Sequence, residues 1–289
     1  MNDGRYRQAE RALWASLGLA PEERLVPLPT LGTAVRVQVL GDGPPVLFVH
    51  GGAVSGANWA PLLPHLAGFR CLVLDRPGCG LSPPTTHPAR DLADFERYAD
   101  TLIPDVLAGL ELDRAPVVAT SLGGYYTVRA AAAHPDRIER IVEFGYMPGA
   151  PVERVPLSMR VATLPGLRRV MMALPPTPAA IRAILRQLGL GPALDDGRIT
   201  PEFFEWFRSL WRDTPTMRND SNGPPELLKP DEGALSVGLL AAVNVPVRFV
   251  WSRTDPIGGA EVARSFAAGF PHADLELWDD ASHAPWVDD

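Results

Sequence analysis

Lysine is almost missing from this chain: of 27 basic residues only Lys229 is a lysine, the rest being arginine. Chemistry that depends on a Schiff-base amine therefore has a single candidate, set beside Pro230, and is excluded as a working reading. Cysteine is scarce as well. Cys71 lies in an apolar run and Cys79 in a Pro-Gly turn, which gives neither a metal spacing nor a disulfide framework and points to a reducing, cytoplasmic setting. No apolar run approaches the roughly 18 residues that span a bilayer, so no membrane partner is expected. The opening stretch "MNDGRYRQAERALWASLGLAPEE" is charged from its start and lacks the apolar core of a signal peptide. Clustered basic charge is absent too, and a net charge of −7 argues against a nucleic-acid partner.

What remains is a globular composition, 46% hydrophobic and 21% charged over 289 residues, enough to bury a sizeable core. Tyr6, Leu13 and Leu17 fall near one face of an N-terminal helix, which is expected to pack on the protein body. From about residue 24, short runs rich in β-branched residues alternate with longer helix-like stretches, the mark of an open sheet with crossover helices. Strands are expected at "RLVPLP", "TAVRVQVL", "PPVLFV", "RCLVLD", "APVVAT", "IERIVEFG", "PVRFVWS" and "ADLELW", with a hairpin-type break at residues 41–43. Helices are expected at "NWAPLLPHLAG", "DLADFERYADTLIPDVLAGL", "LGGYYTVRAAAAH" and residues 259–269.

Between residues 147 and 233 the rhythm breaks into short, proline-punctuated helical pieces. This divides the chain into a core of residues 1–146 and 234–289 and a helical insertion, read as a lid. The insertion carries five of the six methionines and much of the aromatic content. Insertions of this kind cover the cleft beyond the strand ends, and Trp206, Trp211, Met171 and Met172 are the candidates for substrate contact.

A serine hydroxyl attacks a carbonyl only when a base removes its proton, and the base works best when a carboxylate orients it. Three residues at the carboxyl ends of expected strands supply these parts: Ser121 after "APVVAT", Asp255 after "PVRFVWS" and His283 after "ADLELW". For Ser121 alone the plain alternative is a helix N-cap. Glu143 competes with Asp255 for the acid, but it stands inside its strand rather than beyond the end.

In the order serine, aspartate, histidine, and in its motifs, the chain resembles the α/β-hydrolase family. His50-Gly51-Gly52 looks like that family's oxyanion-hole turn, "DRPGCGLS" like its D-x-P-G-x-G-x-S turn, and "SRTDP" and "ASHAPW" like its acid and histidine segments. The elbow departs from G-x-S-x-G by placing Ala119 at the first glycine, a position that needs a small residue and accepts alanine. The resemblance implies a mostly parallel doubly wound sheet, a Ser121-Asp255-His283 triad, oxyanion donors on Gly52 and Leu122 with Ala53 as the lesser choice, and no cofactor or metal. It implies a carboxylesterase-like enzyme acting on a small-molecule ester of small to medium apolar character, a monomer or homodimer. Alternatives are a carbon-carbon bond hydrolase of ring-cleavage products, a thioesterase or lactonase, a cofactor-free haloperoxidase, and, from another class, a ligand receptor with low turnover. Ala284 rather than tryptophan after His283 counts against the first of these. Six residues follow His283 where the family continues into a helix; if that helix is absent, an exposed apolar patch near "ADLELW", able to pair two copies, is expected.

Overall fold

The computed structural model describes residues 1–86, 89–152, 176–220 and 233–288. Among them, one sheet is built from β1 (Glu22–Leu28), β2 (Thr33–Leu40), β3 (Pro45–Val49), β4 (Arg70–Leu74), β5 (Ala115–Thr120), β6 (Ile138–Phe144), β7 (Val247–Ser252) and β8 (Ala273–Trp278). Their order is β1-β2-β4-β3-β5-β6-β7-β8. β2 is antiparallel to both neighbours, and every pairing from β4 onward is parallel.

The helices are α1 (Asp3–Ser16), α2 (Leu92–Gly109), α3 (Leu122–Ala133), α4 (Pro178–Gln187), α5 (Gly191–Asp195), α6 (Pro201–Asp213), α7 (Thr216–Asp220), α8 (Val237–Ala242), α9 (Ala260–Ala267) and α10 (Pro285–Asp288). Central strands are apolar on both faces, so both must be covered. Leu47, Val49, Leu72 and Leu74 point into a core closed by α2, α3, α8 and α9. Phe48, Cys71 and Val73 point the other way, into a core closed by α1, α4, α6 and Trp286. The inserted helices thus finish one side of the sheet.

Two sequence expectations change. The stretch at residues 58–68 forms 3-10 turns, Gly56–Trp59 and Leu63–Leu66, instead of one α-helix, because Pro61 and Pro64 remove backbone donors from its interior. The break at residues 41–43 is not a hairpin: β1 and β2 form the hairpin, and β3 lies beyond β4. Gly41 and Gly43 instead let the chain pass the backbone of Gly68 and Phe69, where an added Cβ would stand 2.1 Å and 2.2 Å from carbonyl oxygens.

The insertion's prolines start its helices as much as they break others. Thr177-Pro178 and Thr200-Pro201 open α4 and α6, each threonine accepting from the amide three residues on while the proline takes a position whose N–H has no helical partner. Among the described residues β8 carries no exposed apolar patch: Ala273, Leu275 and Leu277 are partly buried against the core, and Trp286 of α10 turns inward to donate to the Asn58 carbonyl at 2.9 Å.

α1 packs as its apolar face dictates, burying Tyr6, Leu13 and Trp14, but it also carries Glu10 inside. Arg36 grips that carboxylate with both terminal nitrogens, at 2.5 and 2.7 Å, and donates through Nε to Asp75 at 2.9 Å. Tyr6 donates its hydroxyl to Glu10 at 2.8 Å, lies 2.8 Å from Ser55 Oγ, and accepts from Trp206 Nε1 at 3.3 Å. Burial pushes the Glu10 carboxyl up, with Arg36 opposing. Removing the cation from such a cluster strands two buried carboxylates, at a cost of about 3–5 kcal/mol. Arg36→Leu is therefore expected to lower the urea midpoint by that amount in free energy; a loss below about 1 kcal/mol, the level of a surface pair, would contradict this account.

Candidate active site

β3, β5, β7 and β8 end at one edge of the sheet, and Gly51, Ser121, Asp255 and His283 stand past their respective ends. Ser121 follows β5 with φ +52° and ψ −123°, and its hydroxyl caps no amide of α3. The N-cap alternative thus lacks its hydrogen bond. The turn is tight because α3 starts directly on the end of β3: a Cβ at Gly123 would lie 2.3 Å from the Val49 carbonyl oxygen. Ala119, two residues before the serine, is buried between Val49 and Glu143 of the flanking strands.

Asp255 sits past β7, its side chain sealed from solvent. One oxygen accepts from the Ile257 amide at 2.9 Å; the other accepts from the Tyr146 amide at 3.0 Å and lies 2.8 Å from His283 Nδ1. Burial alone would raise its pKa, but the neighbouring His283, the hydrogen bond to it and the two amides hold the carboxyl below its ordinary value. With Nδ1–H committed to this anion, Nε2 is left as the basic nitrogen of His283. The backbone amide of His283 donates to the Leu188 carbonyl at 3.0 Å, so an inserted segment fixes the histidine's loop.

Gly145 connects the acid-histidine pair to the serine. Phe144 pairs with Thr120 across β6 and β5, so Gly145 lies beside Ser121 at the sheet edge. With φ +72°, it leaves room where a Cβ would stand 3.4 Å from His283 Nδ1 and 3.3 Å from an Asp255 oxygen.

Opposite the serine is the His50-Gly51-Gly52 turn, where a Cβ on Gly51 would come 3.1 Å from Ser121 Cβ. His50 is fully buried, its pKa driven well below the ordinary value by burial and then by Arg76. The Arg76 amide donates to His50 Nε2 at 3.0 Å, leaving Nδ1–H to donate to the Gly51 carbonyl at 2.8 Å. Arg76 Nη2 donates to the same carbonyl at 2.7 Å. Fixing the Gly51 oxygen fixes the plane of the Gly51-Gly52 peptide, and a trans peptide aims the Gly52 N–H the opposite way. The Ala53 amide is already committed, donating to Asp220 at 2.5 Å, and Ala53 holds the left-handed φ of +59°. Of the two amides read as oxyanion donors in this turn, only that of Gly52 is uncommitted among the described residues.

The residues read as substrate contacts separate. Trp206 is wholly enclosed, donating to Tyr6 and stacked edge-on against Phe203 and Phe207, so it is a core residue and touches no cleft. Trp211 is partly exposed and donates through Nε1 to the Ala53 carbonyl at 2.7 Å. Met171 and Met172 lie outside the described residues. Gly145, Arg76 and Asp220 escaped the sequence reading. Gly145 had a signal there, a glycine directly after an apolar strand, and Arg76 stood at the variable position of the "DRPGCGLS" turn, whereas Asp220 had none.

Glu143 is the other carboxyl at the site. It is fully buried under the elbow against Gly124, and neither oxygen completes a hydrogen bond, although the Ser121 amide offsets a little of the burial that drives its pKa well up. A neutral carboxylic acid fits that place; a triad acid does not. The folded chain then holds a proton that the unfolded chain releases above the ordinary glutamate value of 4.5, so this group makes stability fall as pH rises past that value. Glu143→Gln is expected to gain stability over wild type between about pH 5 and about pH 8, read from urea midpoints at each. A wild-type-to-variant difference that stays constant across that range would contradict it.

Comparison with known proteins identifies the family and the fold. The family model described as alpha/beta hydrolase fold matches residues 44–289. The pimeloyl-[acyl-carrier protein] methyl ester esterase of Photobacterium profundum is 29% identical over 279 residues, spanning 88% of this chain and 93% of its own. The 2-hydroxy-6-oxononadienedioate/2-hydroxy-6-oxononatrienedioate hydrolase of Paraburkholderia xenovorans is 26% identical over 259 residues, spanning 83% and 81%. The solved naproxen esterase of Bacillus subtilis shares the fold at a TM-score of 0.76 with 16% identity, over 99% of this chain and 94% of that one. With the family model covering most of its length, and with the elbow, the acid-histidine pair and the parallel sheet all in place, the chain belongs to the alpha/beta hydrolase fold family.

Proposed function

We propose that this enzyme is a serine hydrolase that cleaves a carboxylic ester of a small to medium apolar substrate through an acyl-serine intermediate. The observation that carries the reading is the His283-Asp255 hydrogen bond of 2.8 Å at the same sheet edge as a serine on a positive-φ elbow. His283 Nε2 takes the Ser121 proton as Oγ bonds to the carbonyl carbon, and the carbonyl π pair moves onto oxygen. That oxyanion accepts from the Gly52 and Leu122 amides. Collapse breaks the bond to the leaving alkoxide, which takes the proton from His283. Water then attacks the acyl-serine, gives its proton to His283 and releases the acid, and Ser121 recovers its proton.

An ester is favoured by the relative named as a methyl ester esterase, and apolar character by Phe144, which is only partly buried at the sheet edge, with Trp286 and Trp59 as the core behind it. Phe144, which precedes Gly145, and Trp286, which follows His283 by three residues, have ring centres 5.6 Å apart, and Trp59 packs on Trp286 at 4.4 Å. The insertion at residues 147–233 serves as the lid, with Trp211 as its substrate-facing aromatic. The dienedioate hydrolase among the relatives keeps cleavage of a carbon-carbon bond as the second reading.

An ester panel graded in acyl length, with a coloured dienoate beside it, separates the two. Wild type is expected to turn over p-nitrophenyl esters without bleaching the dienoate, and Ser121→Ala to stay folded while kcat falls on the order of 10⁶-fold. Ester turnover by Ser121→Ala near the wild-type rate would overturn the mechanism, and bleaching of the dienoate in preference to ester turnover would overturn the substrate class.

A further inference from the structure

The inserted helices are stitched to the backbone that forms the oxyanion turn, at both the donor and the acceptor of one residue. Ala53 gives its N–H to Asp220 of α7 at 2.5 Å and receives Trp211 Nε1 of α6 on its carbonyl at 2.7 Å. Ala53 is one of only three non-glycine residues with positive φ among those described, and Ser121 is another. A conformation that L-residues avoid persists only where its surroundings over-determine it. Here the clamp comes from a different part of the chain.

Asp220 is itself well held. It accepts from Arg76 Nη2 at 2.7 Å, the nitrogen that also reaches the Gly51 carbonyl, and its other oxygen accepts from the Cys79 thiol at 3.3 Å. Burial and then the Asp220 charge push that thiol well up, keeping it a donor. α7 is pinned to the 76–82 turn by Asn219 Nδ2, which donates to the Gly78 carbonyl at 2.7 Å, and by Thr216 Oγ1, which accepts from the Gly80 amide at 2.9 Å.

Resting on the serine-hydrolase reading above, we infer that Asp220 and Trp211 are positioning residues for the oxyanion hole, fixing Ala53 on both sides so that the preceding Gly52 amide stays aimed at the developing oxyanion. Neither touches the reacting atoms. Helices α6 and α7 are in this sense part of the catalytic frame, and their displacement would slacken the Gly52 donor while leaving in place Ser121, Asp255 and His283, whose loop is held instead by the Leu188 carbonyl.

The test compares a p-nitrophenyl ester with its thionoester, whose sulfur is a weak acceptor and draws little from oxyanion donors. A slackened hole therefore lowers the ester rate more than the thionoester rate, whereas a smaller folded fraction lowers both alike. Asp220→Ala is expected to reduce kcat for the ester by about 10- to 100-fold at nearly unchanged KM, less than the 10²–10³ of losing a donor outright, and to shrink the ester-to-thionoester ratio with it. Asp220→Asn, whose amide oxygen still accepts from Ala53, is expected to recover most of the ratio. Trp211→Phe keeps the ring, loses the N–H and is expected to shrink the ratio too, so it carries the test if Asp220→Ala does not fold. A wild-type ratio in Asp220→Ala, or in Trp211→Phe where that variant stands in for it, would overturn the inference, as would equal losses on both substrates. Ser121→Ala run alongside separates the two levels: ester turnover there sinks the serine reading itself, whereas an inert Ser121→Ala beside an unchanged ratio sinks only the positioning role.

Discussion

The approach of Gly123 to the end of β3 sets the geometry of everything around it. Any side chain there would meet the Val49 and His50 carbonyls, at 2.3 and 2.7 Å, so α3 can begin against β3 only through a glycine. Ser121, two residues before it, turns with a positive φ of +52°, and the elbow lies against the His50-Gly51-Gly52 turn. Ser121 and the His50-Gly51-Gly52 turn are thus placed by one packing constraint between two adjacent strands. The histidine and acid arrive from β7 and β8, across the gap that Gly145 leaves open.

Around this frame, consecutive residues Asp75 and Arg76 organise two buried charge clusters that point opposite ways. Asp75 binds Arg36, which in turn binds Glu10 of α1, and also accepts from the Gly56 and Leu81 amides at 2.7 and 3.1 Å. Arg76 binds His50 and Gly51 through their carbonyls and Asp220 through its carboxylate. Such clusters are costly to desolvate and are weak evidence for stability as such. Their effect here is geometric, since each ties a distant segment to the backbone turns that shape the site. Glu143 is the exception, a buried carboxyl with no cation facing it among the described residues, and it stays near the elbow by remaining neutral.

Much of the fold was legible because alternating apolar runs and their lengths report strands directly: β2 spans the whole of "TAVRVQVL" and β8 the whole of "ADLELW". The strand ends that carry Ser121, Asp255 and His283 were legible for the same reason. Residues whose role depends on distant partners were not. Glu10 reads as one more polar residue on an amphipathic helix, and nothing near it in sequence announces Arg36, 26 residues on. Trp206 and Trp211 look alike in sequence, yet one is sealed in a core and the other reaches the oxyanion turn, because α6 presents them to different surroundings. Asp220 stands in a polar stretch that reads as a loop, and its meaning comes from the Ala53 amide, 167 residues away. The prolines mark helix starts as well as ends for a local reason: threonine followed by proline opens a helix as readily as proline ends one.

The central claim is that Ser121 is the nucleophile of this site, and covalent trapping tests it most directly. The protein is treated with a fluorophosphonate, ester turnover is followed as label accumulates, and the labelled residue is found by peptide mass spectrometry. The account predicts one adduct, on Ser121, with activity lost in proportion to it. Label on another residue, or full turnover by protein whose Ser121 is modified, would contradict it.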